Sequence, residues 1–110
     1  MDPVMKLIKD QEKTQNILVM QAIIFQPILL ICLRGSSLPK INLNAQRLLP
    51  ISSELIKKYL FYLIEYGLIS YYGSNRTYIS TNDGIKLLFE IEQKKVTEKI
   101  TTRDILLYLE

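Results

Sequence analysis

The sequence predicts one mainly α-helical domain with a single small β-hairpin, which is an α+β fold. Over most of the chain, apolar residues recur at steps of three and four, the period of amphipathic helices. The period changes after Gly67, where two β-branched and aromatic runs, at 68–72 and 76–80, surround turn residues at 73–75. A length of 110 residues, 48% of them hydrophobic, suits one folded core and no second one.

Composition excludes several kinds of chemistry. The chain has no histidine and one cysteine, Cys32, which rules out zinc sites of Cys and His, histidine-activated nucleophiles and internal disulfides. There is no glycine-rich phosphate loop, and the acidic residues are scattered singly over predicted helix faces. We therefore expect no enzyme activity, no metal site and no cofactor, and we expect Cys32 to pack as a small apolar side chain.

Positive charge is concentrated in the middle of the chain. The whole sequence has a formal net charge of +3, whereas residues 34–80 hold six basic and two acidic residues. The remainder is therefore slightly acidic. This distribution predicts that the middle of the chain contacts a polyanion and that the ends serve another purpose, such as association.

Two extensions are predicted on either side of a central domain at residues 27–92. Residues 1–26 are predicted to form an N-terminal helix, with Asp2 as its cap and Pro3 in its first turn. Residues 93–110 are predicted to form a C-terminal helical extension, because they end in an apolar segment that would not remain free in water.

Residues 17–33 are almost continuously apolar and approach the length of a membrane span. Against a span, Gln21 and Gln26 are costly in the middle of a bilayer, and Pro27 suits the first turn of a new helix. We therefore favour two buried helices with a break near Gln26, and a protein of the cytoplasm, with a membrane-anchored regulator as the alternative.

The helix that begins at Pro27 is predicted to end at Gly35. Residues 38–41, which include a proline, are expected to be short and extended. Asn42 is then expected to cap a short helix that ends before Pro50.

A longer helix is predicted after the turn at Pro50. Ser52 or Ser53 caps it, and Gly67 ends it. Beyond the hairpin, Thr81 caps a further helix, with Asp83 near the positive end of the helix dipole.

Helix, short strand, helix, turn, long helix and hairpin is the order of a winged helix-turn-helix. Two runs carry a resemblance: Tyr59-Leu60-x-x-Leu63-Ile64-Glu65-x-Gly67-Leu68-Ile69, followed by Tyr78-Ile79-Ser80-Thr81-x-x-Gly84-x-x-Leu87-Leu88. They resemble archaeal winged helix-turn-helix proteins, whose recognition helix ends in Gly-Leu-Ile and whose second wing strand runs into a Thr-x-x-Gly helix. The resemblance covers about residues 27–92. It implies a regulator or small chromatin protein that binds double-stranded DNA, often as a homodimer through helices flanking the wing.

The predicted DNA-contacting residues lie on the recognition helix, on the helix before it and on the hairpin. At the start of a recognition helix, lysines reach phosphates or guanine edges and serines bind phosphate oxygens. A hairpin arginine can enter the minor groove. These residues are Lys40, Asn42, Asn44, Arg47, Ser52, Ser53, Lys57, Lys58, Asn75 and Arg76. Ordinary capping, turn formation and solubility are the alternative explanation for each.

The apolar residues of the two extensions predict a homodimer. They outnumber what a small central core can cover, and burial of one such side chain contributes about 1.5–3 kcal/mol. The alternative is a monomer in which both extensions fold back over their own core. The predicted interface residues are Leu18, Ile24, Phe25, Ile100, Ile105, Leu106 and Leu109.

Aromatic residues on and after the recognition helix favour an alternative function. A recognition helix more typically carries lysine at such positions, and exposed aromatic side chains often mark a protein interface. The alternative is a winged-helix module that binds a protein partner and does not bind DNA. The residues concerned are Phe61, Tyr62, Tyr66, Tyr71 and Tyr72.

Overall fold

Four α-helices and two antiparallel sheets make up the described part of the chain, so the fold class is α+β. The computed structural model describes residues 5–9 and 18–109. The helices are α1 (Ala22–Ile31), α2 (Leu38–Leu48), α3 (Ser53–Glu65) and α4 (Asn82–Glu98). The strands are β1 (Met5–Lys9), β2 (Leu18–Gln21), β3 (Ile69–Tyr72), β4 (Thr77–Ser80) and β5 (Ile105–Leu109), with a 3-10 turn at Thr102–Asp104.

The prediction that both ends are helical is wrong for residues 5–9, 18–21 and 105–109, which are strands. Three segments of the two extensions instead form a three-stranded antiparallel sheet in the order β1-β5-β2, while residues 22–26 belong to α1 and residues 93–98 to α4. In the middle strand, Leu107 pairs with Leu7 on one side and with Met20 on the other. All five residues of β5 are buried, and a short apolar run buried on both faces has no period that separates a strand from a helix. Asp2 and Pro3 lie outside the described residues.

Helix α1 also differs from its prediction, because Pro27 lies inside it and does not begin a new helix. A proline inside a helix removes one backbone hydrogen bond and costs about 3 kcal/mol. The side chains that α1 buries, among them Phe25, Ile28 and Leu29, offset this at about 1.5–3 kcal/mol each. The predicted boundary at 26/27 therefore falls within α1, and the boundary at 92/93 falls within α4.

Most of the apolar segment at 17–33 is thus divided between β2 and α1. Across residues 5–9 and 18–109, no helix combines the length and the apolar character that crossing a membrane requires.

Helix α2 begins four residues before the predicted cap Asn42. Ser37 is the cap, with its side-chain oxygen accepting the Lys40 N–H, and Pro39 lies in the first turn. Proline is tolerated there because the first N–H groups of a helix have no partner within the helix. The prediction that residues 38–41 are extended is therefore wrong. The strand-like residue is Ser36, which exchanges two backbone hydrogen bonds with Tyr78 of β4 at 2.9 and 2.8 Å.

The predictions for α3, the hairpin and α4 are confirmed. Ser52 caps α3, Gly67 follows its end with φ of +74°, and the side chain of Thr81 accepts the Gly84 N–H at 3.1 Å. Gly84 is buried, and a Cβ at this position would overlap the carbonyl oxygen of Leu68. The Thr-x-x-Gly pattern therefore caps α4 and lets it pack closely on the backbone before the hairpin.

A single main core joins all four helices with β2 and β5 of the three-stranded sheet. The residues predicted to form a dimer interface are covered by their own chain: Ile24, Phe25, Ile105, Leu106 and Leu109 are buried, and Leu18 and Ile100 pack half-buried on the core. The premise that these side chains need a second subunit is therefore wrong, because the three-stranded sheet enlarges the core of the monomer. Homodimerisation stays a prediction, without this support.

Candidate nucleic-acid interface

The turn between α2 and α3 holds the first turn of α3 in place. The side-chain amide of Gln46 donates to the carbonyl of Ile51 at 3.1 Å and to the hydroxyl of Ser53 at 3.5 Å. The hydroxyl oxygen of Ser52 accepts the N–H of Leu55 at 3.1 Å. Ser52 is exposed and still has its own O–H to donate, whereas Ser53 is half-buried within the turn.

Helix α3 buries one side and exposes the other. Its buried residues are Ile56, Tyr59, Leu60 and Leu63. The opposite side carries exposed residues at i, i+3, i+4 and i+7, the spacing with which a recognition helix presents side chains to a major groove. We call this set the α3 stripe: Glu54, Lys57, Lys58 and Phe61.

Tyr59 connects α3 to the start of α1. Its phenolic oxygen accepts the backbone N–H of Gln21 at 3.0 Å. Burial raises the pKa of Tyr59, and the hydrogen bond from Gln21 partly opposes that rise. The phenol is thus neutral at physiological pH and serves as an anchor, which fixes the orientation of the α3 stripe.

Among the described residues, the basic side chains near α3 have no acidic partner. Lys40, Arg47, Lys57, Lys58 and Arg76 are exposed. Within residues 18–109, the ion pairs are Lys94 with Glu98 and Lys95 with Glu92, all on α4. Glu54 precedes Lys57 and Lys58 at spacings that permit a helical ion pair, yet no pair forms. Five cationic side chains on α2, α3 and the hairpin are therefore available to an anionic ligand.

The hairpin turn presents its arginine from an unusual backbone conformation. Arg76 has φ of +53°, in the left-handed region that favours glycine and asparagine. Beside it, the Thr77 hydroxyl donates to the Asn75 carbonyl at 3.1 Å, and both Asn75 and Arg76 are exposed. Such strain often accompanies a functional position.

Two grooves adjoin this face. The α3 groove, of about 260 Å³, is lined by Leu38, Lys57, Leu60, Phe61, Ile64 and Tyr78. The hairpin groove, of about 510 Å³, is lined by Ser37, Leu38, Pro39, Tyr71, Asn75, Arg76 and Tyr78. Both grooves include Leu38 and Tyr78, so Lys57 of α3 and Arg76 of the hairpin border adjoining concave surfaces. Leu38 and Tyr78 were not predicted as site residues. In the structure Tyr78 pairs across the hairpin with Tyr71, which was predicted as a surface aromatic.

The predicted residues of α2 divide into two groups. Lys40 and Arg47 are exposed, whereas Asn42 and Asn44 are half-buried. The Asn42 Oδ1 atom is buried and has no hydrogen-bond partner, and Asn42 lies inside α2 where a cap was predicted. Lys40 and Arg47 are thus better placed for a phosphate contact than Asn42 and Asn44.

The five predicted surface aromatics do not form one surface. Phe61, Tyr71 and Tyr72 are exposed, whereas Tyr62 and Tyr66 pack half-buried against the core. Tyr71 packs on Tyr78 with ring centroids 4.7 Å apart, and Phe61 meets Tyr62 edge-on at 5.4 Å. Successive residues of a strand point to opposite faces, so Tyr72 lies on the other face of the hairpin from Tyr71. The exposed aromatic pair beside the two grooves is Phe61 and Tyr71.

No group of residues suited to holding a metal ion occurs in the described ranges. Cys32 is fully buried in the core, as predicted, and burial raises its pKa to about 12, which keeps the thiol protonated and unreactive. The chain matches no family model, and a search of curated proteins likewise finds no match.

Proposed function

We propose that this protein binds double-stranded DNA as a winged helix-turn-helix protein, acting as a transcriptional regulator or a chromatin component. The observation that carries the proposal is the convergence of Lys57 and Arg76 on adjoining grooves, with no acidic partner for either among the described residues. The order of α1, the Ser36 bridge, α2, α3 and the hairpin supports the same interpretation.

In this proposal, α3 lies in the major groove with the α3 stripe, from Glu54 to Phe61, toward the base edges. Lys57 and Lys58 contact phosphates or guanine edges, and Ser52 donates its hydroxyl to a phosphate oxygen. Arg76 extends from the hairpin toward the neighbouring minor groove or its phosphates, while Lys40 and Arg47 contact the backbone from α2. Glu54 either accepts a cytosine amino group or weakens the approach to the backbone.

The test measures the affinity for a labelled 30-base-pair duplex by fluorescence anisotropy at a series of salt concentrations. Five phosphate contacts predict a slope of about −4.5 in log affinity against log salt. A steep slope with micromolar or tighter binding at low salt supports the proposal. The absence of binding at micromolar protein and low salt would refute it.

We also propose that the protein acts as a homodimer in the cytoplasm, since two α3 helices related by two-fold symmetry would fit successive major grooves. Sedimentation equilibrium at tens of micromolar tests this. A mass of 12.8 kDa would show a monomer, and twice that mass a dimer. Selection from random duplexes adds a second test, because a dimer predicts a palindromic site.

A second candidate function is binding of a protein partner, favoured by the exposed Phe61 at the edge of the apolar α3 groove. In this case DNA is not the ligand. Affinity purification from source cells, with and without nuclease, separates the two functions. Partners that persist after nuclease treatment and are lost with Phe61→Glu would favour the protein-binding function.

A further inference from the structure

Phe61 stands among the basic residues of the proposed DNA-binding face, and the proposed function has no role for it. The side chain is 57% exposed and occupies the last position of the α3 stripe. It follows Lys58 by three residues, which is about 4.5 Å along a helix axis. Residues three apart are neighbours on a helix surface, so Phe61 and Lys58 lie side by side on the exposed side of α3.

We propose that Phe61 recognises a thymine through its C5-methyl group, an inference that rests on the proposed DNA-binding function. The thymine methyl is the apolar group that base edges expose in the major groove, and phenylalanine is one of the side chains that contact it. A phenyl ring opposite a guanine, adenine or cytosine edge would remove water from a polar group and return no hydrogen bond. The ring therefore favours thymine and disfavours the other bases at one position.

The position on α3 supports a base contact. Glu54, Lys57 and Lys58 are the other exposed residues of the stripe, so Phe61 lies on the side that α3 would present to the groove. Leu60 and Ile64 of the α3 groove lie beside Phe61 and provide an apolar setting in which a methyl group loses its contact with water.

The expected discrimination is modest and measurable. Burial of one methyl-sized group corresponds to about fourfold in affinity, which is about 0.8 kcal/mol at 1.4 kcal/mol per factor of ten. Loss of the methyl should cost this factor for each thymine contacted.

The experiment begins with selection of sites from a random 30-base-pair duplex pool by the wild-type protein. Each thymine of the enriched site is then replaced singly by deoxyuridine, which lacks only the methyl group. We expect one thymine per half-site whose replacement weakens binding about fourfold, while the other replacements have little effect. Replacing that thymine–adenine pair by 5-methylcytosine–guanine should weaken binding less than replacing it by cytosine–guanine.

Phe61→Ala should bind the thymine and deoxyuridine duplexes equally. Phe89→Ala is the matched control, because Phe89 is an exposed phenylalanine on α4 and should leave the thymine preference unchanged. Binding without any thymine preference, or a preference that survives in Phe61→Ala, would overturn the inference and leave the DNA-binding proposal intact. Failure of the wild-type protein to bind any duplex would overturn both.

Discussion

Helices α3 and α4 both carry lysine and glutamate side chains, but these side chains form ion pairs on α4 and do not on α3. On α4, Lys94 pairs with Glu98, Lys95 pairs with Glu92 at 3.2 Å, and Glu92 also accepts from the Gln26 side chain of α1 at 3.1 Å. On α3, Glu54 has the spacing to pair with two lysines and pairs with neither. An exposed ion pair contributes only about 0–1 kcal/mol, so leaving lysines unpaired costs little stability and keeps their charge available to a polyanion.

Removing a pair of lysines from each helix should give the largest difference between α3 and α4. The double variant Lys57→Ala with Lys58→Ala should bind a 30-base-pair duplex about a hundredfold more weakly at about 50 mM salt. Its salt slope should be smaller by about 2, because two phosphate contacts are lost. Fluorescence anisotropy measures both quantities.

The matched control is Lys94→Ala with Lys95→Ala on α4. It should bind DNA as tightly as the parent and lose about 0.5–1 kcal/mol of stability in urea unfolding. Equal loss of affinity in the two double variants would show that the unpaired lysines of α3 contact DNA no more than the paired lysines of α4 do.

Arg76 gives an intermediate effect. Arg76→Ala and Arg76→Gly both remove the guanidinium and should weaken duplex binding about tenfold. Because φ at this position is +53°, Arg76→Gly should be about 1 kcal/mol more stable than Arg76→Ala in urea unfolding. Unequal affinities of the two variants would instead point to the turn conformation, and not the charge, as the source of the effect.

The smallest effect concerns the acidic residue of the α3 stripe. Glu54→Gln should raise duplex affinity about threefold, because it removes about 0.5–1 kcal/mol of repulsion between the carboxylate and the phosphates. Glu92→Gln on α4 is the control and should leave affinity unchanged. If Glu54→Gln weakens binding, Glu54 is a direct acceptor for a cytosine amino group and not a source of repulsion.

The sequence predicted those parts of the fold that local signals determine. Ser52, Thr81 and Gly67 are capping residues, and each lies where its chemistry indicated. The helical period likewise indicated that Lys57 and Lys58 would be exposed.

The failures involve contacts made far along the chain. Strand β5 pairs Leu107 with Leu7, about 100 residues away, and no local pattern of an apolar run reveals such a partner. The local sequence favours Pro27 as the start of a helix, whereas its place inside α1 is stabilised by burial that depends on the whole core. The grooves were missed for the same reason, since they form only when α2 brings Leu38 to α3 and the hairpin.

The arrangement of β1 and β5 determines how the molecule responds to mechanical force. Met5 pairs with Leu109, and the two strands run antiparallel from that pair. Tension applied at residues 5 and 109 would load this outermost pair first and open the hydrogen bonds one after another, as a zipper opens, without shearing them together. The three-stranded sheet would therefore separate at low force and account for the first extension of the molecule. The Ser36 bridge and the turn between α2 and α3 lie between β1 and β5 in the sequence, so they would bear force only afterwards.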